Sequence, residues 1–466
     1  MNNYETTLRH LLLVWCAVAL GACTSATPGP RSTDPNARPA PFPSTYAALP
    51  GEPTLLVGAT VLTGDGVRLD NAAVYFANGI VRAVGVGLEV PQGTRVIEAG
   101  GKWITPGLID VHSHMGNYPV PGVVAHQDGN EMTSPNTAGV WAEHGVWPQD
   151  PSFSTARAGG VTTFQVLPGS GNLFGGRGVT LKNVPARTVQ EMKFPDAPYG
   201  LKMACGENPK RVYGTRNIAP MSRMGNLAGQ RTAWIAAQQY MEKQARAAQG
   251  KGETPPRDLN LETLAGVLKG EILVHNHCYR ADEIALMIDL AREFDYHPGT
   301  FHHAVEAFKV ADLIAEADAC AAVWADWWGF KLEAWDTTRE NAAIVDAAGA
   351  CAIIHSDSAV DVQRLNQETA KVMAAANRVG LPVTPEHAIR WLTSNPARSL
   401  GIAEKTGTLA PGRMADIVVW NGNPFSVYAM AEQVYIDGAL VYDRNAPERQ
   451  PKTDFELGMI ALGDGQ

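Results

Sequence analysis

Two histidines one residue apart, His112 and His114, close the apolar run 103–111. Side chains alternate faces along a strand, so residues two apart point the same way and both imidazoles are directed at one spot. Paired neutral imidazoles aimed at one point suit a transition metal, zinc above all. Three more groups end runs of the same texture: His277 after 271–276, His303 after 300–302, and Asp357 after 351–356. Taken singly, each histidine reads more readily as a core residue satisfied by its neighbours. What sets them apart is that they share one position, the end of a strand-like run.

The segments between these runs have helical spacing. Ile284, Met287, Ile288, Ala291 and Phe294 follow the first; Val305, Phe308, Ala311 and Leu313 follow the second; Val362, Leu365, Val372 and Met373 follow the third. Such strand-then-helix units predict an α/β fold, a parallel (β/α)8 TIM-like barrel, whose catalytic groups lie at the C-terminal ends of different strands. A doubly wound open sheet is the alternative, but the chain lacks its Gly-x-Gly-x-x-Gly fingerprint. Short β runs with glycine turns occupy 54–62, 73–76 and 80–84, and the texture returns at 416–420 and 433–438. Neither end has enough strands to cover its own apolar face, so the two are expected to combine into one small β-sandwich. The expected divisions are a signal segment at 1–23, a tether at 24–50, sandwich pieces at 51–104 and 405–445, a barrel at 105–404 and a tail at 446–466.

With 45% hydrophobic and 18% charged residues over 466 positions, the composition is that of a globular enzyme. A net charge of -9 without a lysine or arginine block argues against nucleic acid as a partner. At the N-terminus, Arg9 and His10 precede the apolar run 11–20, which is too short to remain as a membrane span. The following Leu20-Gly21-Ala22-Cys23 resembles the lipobox of bacterial lipoproteins, which implies lipidation at Cys23, and Thr24 fits outer-membrane sorting. The expectation is a lipid-anchored protein of the bacterial cell envelope, on the periplasmic face of the outer membrane. A cleaved secretory signal is the alternative. Proline, serine and alanine in 24–50 suit a semi-rigid tether. Cys205, Cys278, Cys320 and Cys351 form no Cys-x-x-Cys pair and read as buried thiols, although secretion would permit disulfides. Oligomeric state is left open.

Longer motifs carry a resemblance. Ile104-Thr105-Pro106-Gly107-Leu108-Ile109-Asp110-Val111-His112-Ser113-His114, His277-Cys278-Tyr279-Arg280-Ala281-Asp282-Glu283, His303-Ala304-Val305-Glu306-Ala307 and His355-Ser356-Asp357-Ser358 resemble the amidohydrolase superfamily. So does the closing stretch Thr406-Gly407-Thr408-Leu409-Ala410-Pro411-Gly412, and the nearest group is that of imidazolonepropionase-related amidohydrolases. The resemblance implies that His112, His114, His277, His303 and Asp357 bind one or two divalent ions, zinc or else Mn2+ or another divalent metal. His275, on the same face as His277, is the rival ligand, and His302, pointing opposite to His303, is expected to pack or support.

Binuclear members need an anionic bridge, either a glutamate or a carboxylated lysine. Glu207, in Gly206-Glu207-Asn208-Pro209, resembles the glutamate of N-acetylglucosamine-6-phosphate deacetylases and is preferred; Lys202 and Lys182 are the alternatives. The implied chemistry is hydrolysis of an amide, peptide-like or cyclic-amide C–N bond in a small molecule, with Asp357 as general base. Arg280 and His355 are candidates for holding a substrate oxyanion or carboxylate. The aromatics of 324–330, Trp328 among them, are candidates for an apolar pocket, with core packing as the plainer reading. The glycines of 171–178 suggest an active-site loop. Two alternatives stand beside this reading: a mononuclear imidazolonepropionase or deaminase acting on a heterocycle, and a non-catalytic lipoprotein that binds a metal or small ligand.

Overall fold

One glycine divides the apolar run that ends in the paired histidines. The computed structural model describes residues 41–446, so Cys23, the signal segment, most of the tether and nearly all of the tail lie outside the described residues. The described residues from Phe42 onward belong to one compact unit. Its first strands are β1 (Thr54–Leu62), β2 (Arg68–Ala77), β3 (Ile80–Gly85), β4 (Arg95–Glu98) and β5 (Trp103–Pro106). The barrel strands are β6 (Leu108–Ser113), β7 (Val161–Val166), β8 (Phe174–Lys182), β9 (Tyr199–Ala204), β10 (Ile272–Cys278), β11 (Thr300–His303), β12 (Cys320–Val323) and β13 (Cys351–Ile354). The last three are β14 (Ile417–Trp420), β15 (Ala431–Ile436) and β16 (Ala439–Asp443). Gly107 separates β5, in one sheet, from β6, in the other. A Cβ there would lie 2.0 Å from Thr162 Oγ1, so only glycine lets the chain cross between sheets this close to β7.

The second sheet, in the order β13-β12-β11-β10-β9-β8-β7-β6, is a nearly closed eight-stranded barrel. It departs from the expected uniform pattern in one strand: β8 runs antiparallel to both β7 and β9. Only residues 167–173 join β7 to β8, and a parallel return needs a crossover of a dozen residues or more. The glycine-rich 171–178, expected as a loop, therefore enters β8 halfway along. Side chains assist the backbone where β13 meets β6. Ser356 donates from N and Oγ to the Asp110 carboxylate, and Asp357 N donates to His112 O at 3.0 Å. The helix Ala281–Phe294 packs its buried stripe of Ile284, Met287, Ile288, Ala291 and Phe294 into the barrel core, as its spacing requires.

The two chain ends build the other sheet together, in the order β16-β15-β14-β5-β1-β2-β3, with β4 also paired to β1. Phe76 on β2 and Tyr435 on β15 meet edge to face, 5.2 Å between centroids, although β1, β5 and β14 separate their strands in the sheet. The sheet is thus curled over its own core of Leu56, Val61, Val74, Ile104, Ile417 and Val419. What the sequence suggests as two layers is one continuous curled sheet among the described residues.

The cysteines correct a second expectation. Cys205 is bonded to Cys278 and Cys320 to Cys351, with Cα atoms 5.4 and 4.3 Å apart. Cys320 and Cys351 are register partners on β12 and β13, and Cys205 N donates to His277 O beside Cys278. Separations of 73 and 31 residues conceal this adjacency in the sequence.

Lys182, a candidate bridging ligand, ends β8 at the junction of the two sheets. Its ammonium lies 2.9 Å from both Asp416 Oδ1 and Asp437 Oδ1 and is fully buried. Burial opposes the charge, but the two carboxylates outweigh it and raise the pKa. The lysine is therefore occupied in tying the curled sheet to the barrel. Removing its charge would strand two buried carboxylates, so Lys182→Met is expected to cost roughly 3–5 kcal/mol in urea unfolding.

Candidate metal centre

The barrel brings the strand-end groups to one place. His112 leaves β6 and His114 follows it, with their Nε2 atoms 3.3 Å apart. Asp357 Oδ1, arriving after β13, is 3.5 Å from His112 Nε2 and 3.2 Å from His114 Nε2, and its Oδ2 is 3.9 Å from His303 Nδ1. His114 Nδ1 lies 2.7 Å from Leu167 O, so it donates there, and in the neutral ring Nε2 carries the lone pair. Ligand atoms of His112, His114 and Asp357 fall within 4.8 Å of one another, and so do those of His112, His303 and His355. His277 sits beside them, its ring centroid 4.6 Å from that of His303, with Nδ1 buried and unpartnered. His275, its rival, is deeper in the barrel, against His302 and Gln165.

Two backbone positions make this convergence. His303 has φ of 68° and Asp357 of 55°, left-handed values that cost non-glycine residues on the order of 1–3 kcal/mol. Because His303 leaves the extended conformation, alternation fails there. Both His302 and His303 face inward, each with its ring centroid 4.7 Å from that of His112. The expected outward direction of His302 is not what the chain adopts.

The lysine and glutamate alternatives separate cleanly in space. Lys202, inside the barrel on β9, places Nζ 3.1 Å from His112 Nε2. Glu207 opens the helix Glu207–Gly214 after Gly206, which turns at φ of 76°. Its carboxylate lies 3.3 Å from Lys331 Nζ, and the structure does not bring it to the histidines. Arg280 forks onto the Asp282 carboxylate at 2.9 and 2.8 Å on a half-exposed helix start, away from the cluster. Trp328 lies under the Arg339 guanidinium at 5.9 Å. The aromatic of that segment at the site is Trp324, stacked on His303 at 4.3 Å and tilted against Tyr279 at 6.2 Å. Being the first aromatic after β12, it was the one closest to a strand end, a signal the sequence carried. Tyr279, two residues beyond His277, packs edge to face on that ring at 4.6 Å. Asn208 adds an amide 3.4 Å from His277 Nε2.

Burial sets the charge state. It pushes His112, His277, His302 and His303 well below the usual histidine range, helped at His112 by Lys202 and at His277 by Lys331. His275 and His355 are pushed down to about 3. Burial also lowers Lys202 to about 7. Asp357 stays below the ordinary carboxylate value: burial works against it, but without a metal a proton on His114 Nε2, the atom that faces Asp357, prevails, and a cation at the same point would take over that role. Neutral imidazoles around an ionised carboxylate, several with buried nitrogens lacking a partner, make a donor set that fits a divalent transition metal.

A model of the amidohydrolase family matches residues 255–448. An amidohydrolase from Thermotoga maritima MSB8 has a crystal structure that aligns with a TM-score of 0.78 and 35% identity, covering 84% of this chain and 100% of that one. The chain belongs to the amidohydrolase family. It is 31% identical over 453 residues to the amidohydrolase tasK of Hapsidospora irregularis, across 89% of this chain, and spans 46% of that relative's length. It is also 23% identical over 383 residues to an imidazolonepropionase of Mesorhizobium japonicum, covering 77% of this chain and 89% of that one.

Unfolded imidazoles titrate near 6.5, whereas folded His275 and His355 take protons only at about 3. Between those values the unfolded chain binds protons that the folded chain refuses, so stability falls as pH drops through the window. Each imidazole held neutral costs on the order of 2 kcal/mol at about pH 5. With chelator present, the thermal midpoint is expected to fall steadily from about pH 7 to about pH 5. A flat profile would show the imidazoles to be solvated or already charged.

Proposed function

We propose that this protein is a metal-dependent hydrolase that cleaves an amide, peptide-like or cyclic-amide C–N bond in a small molecule. The observation that carries this reading is the convergence of His112, His114, His303 and Asp357, with Lys202 beside them, at the barrel mouth. Family membership supports it, since the relatives include proteins named amidohydrolase, imidazolonepropionase and, over a short segment, dihydroorotase. His112, His114, His277, His303 and Asp357 would hold one or two ions, zinc by donor chemistry. An ion held there would supply an acidified water and a Lewis acid for the scissile carbonyl.

Asp357 takes the proton of the attacking water and returns it to the leaving nitrogen, a role its position between His114 and His303 permits. His355 has both ring nitrogens buried without a protein partner and faces the same point, so it offers a hydrogen bond to the substrate oxygen. Tyr279 and Trp324 wall the site on the His303 side and exclude water there. For the bridging anion, Lys202 takes precedence over Glu207 on position. Its amine combines with carbon dioxide to give a carbamate and one released proton, and the lowered pKa supplies the neutral amine this needs. A mononuclear enzyme acting on an imidazolone-like ring is the second reading, favoured by the imidazolonepropionase relatives. The lipobox at Cys23 and the two disulfides support an anchored, periplasmic location.

The test is metal analysis joined to turnover over N-acyl amino acids, dipeptides and cyclic amides. Asp357→Asn is expected to fold and to lose about 10²–10⁴-fold in kcat. Lys202→Ala should lower the metal content and Glu207→Ala should not. One ion per chain, unchanged in both variants, would favour the mononuclear reading, and normal turnover in Asp357→Asn would remove the proposed base.

A further inference from the structure

Behind His112, on the side away from Asp357, a row of buried polar groups runs into the barrel interior. His112 Nδ1 is 2.9 Å from His302 Nδ1, and His302 Nε2 is 2.9 Å from His275 Nδ1. His275 Nε2 is 3.2 Å from the amide nitrogen of Gln165, whose Oε1 is buried without a partner. His112 is 1% exposed and the other three side chains 0%, so water cannot satisfy the row. Neither His275, His302 nor Gln165 has a role in the mechanism above.

A neutral imidazole has one N–H and one lone pair. Each contact in the row therefore takes a donor from one ring and an acceptor from the next, and placing the proton on any ring fixes the others. Ligation by His112 requires its lone pair on Nε2, the atom that faces His114, Asp357 and Lys202. His112 then donates from Nδ1 to His302 Nδ1. His302 donates from Nε2 to His275 Nδ1, and His275 donates from Nε2 to Gln165, whose amide must present oxygen. With the amide nitrogen towards His275, the row runs in reverse and ends with a proton on His112 Nε2, at the point a cation would occupy. The unpartnered Oε1 is the acceptor that the ligating direction uses.

We infer that His302, His275 and Gln165 form a hydrogen-bond relay that sets the tautomer of His112, so that metal uptake and the orientation of the Gln165 amide are coupled. The inference rests on the metal-dependent reading above. The three are positioning residues, acting on the ligand from behind as outer partners of metal-bound histidines do.

The experiment uses the full-length chain with 15N-labelled histidine, stripped by chelator and reloaded with zinc. In the loaded protein, NMR is expected to show the proton on Nδ1 of His112 and on Nε2 of both His302 and His275. Zinc competition against a chromophoric chelator should show His302→Phe binding about 10–100-fold more weakly. His302→Asn, whose amide oxygen can accept from His112 Nδ1, should recover most of that loss. A proton on Nδ1 of His302 in the loaded protein overturns the relay, as does wild-type affinity in a folded His302→Phe. If that variant does not fold, the tautomers and His302→Asn decide. A wild type that takes up no divalent ion overturns the metal reading itself and the relay with it.

Discussion

An imidazole removed from water has to stay uncharged, and this barrel buries six whose pKa values are all depressed. They surround a single ionised carboxylate and a lysine whose ammonium is destabilised by the same burial. Such a cluster is poor at holding protons and rich in lone pairs. The price is conformational as well as electrostatic, since His303 and Asp357 adopt left-handed backbone values to face the same point. The surrounding structure over-determines these positions. Asp110 and Ser356 join β6 to the end of β13, Trp324 and Tyr279 press on the rings, and a disulfide ties the end of β10 to the residue after β9.

Chain connectivity decides which residues join that cluster. The link 167–173 is too short to return parallel, so β8 reverses and carries Lys182 to the far junction, where two aspartates hold it. β9 then resumes the common direction and delivers Lys202 beside His112. Gly206 turns the chain immediately afterwards and sends Glu207 into a helix, towards Lys331 instead of the histidines.

Much of this was readable because strand ends are marked by composition. The histidines 112, 114, 277 and 303 and Asp357 each close an apolar run, and the barrel collects such ends. The helix Ala281–Phe294 was legible for the same kind of reason, a clean apolar stripe. What escaped depends on geometry that no local pattern encodes. The alternation rule misdirected His302 because His303 turns left-handed. The cysteine pairs became visible only once strands far apart in sequence lay side by side. Glu207 matched a motif, but a motif does not say where the turn at Gly206 sends the side chain. Trp324 and Trp328 differ by four positions within one aromatic segment, and only the path of the loop after β12 selects between them.

The curled sheet has a consequence for the order in which the molecule comes into being. β5 finds one neighbour in β1, but its other edge pairs with β14, which lies more than three hundred positions later in the chain. While a ribosome is still working, that edge stays bare and the first-made strands have nothing to close on. Closure of this sheet is thereby postponed until β14 itself has been made.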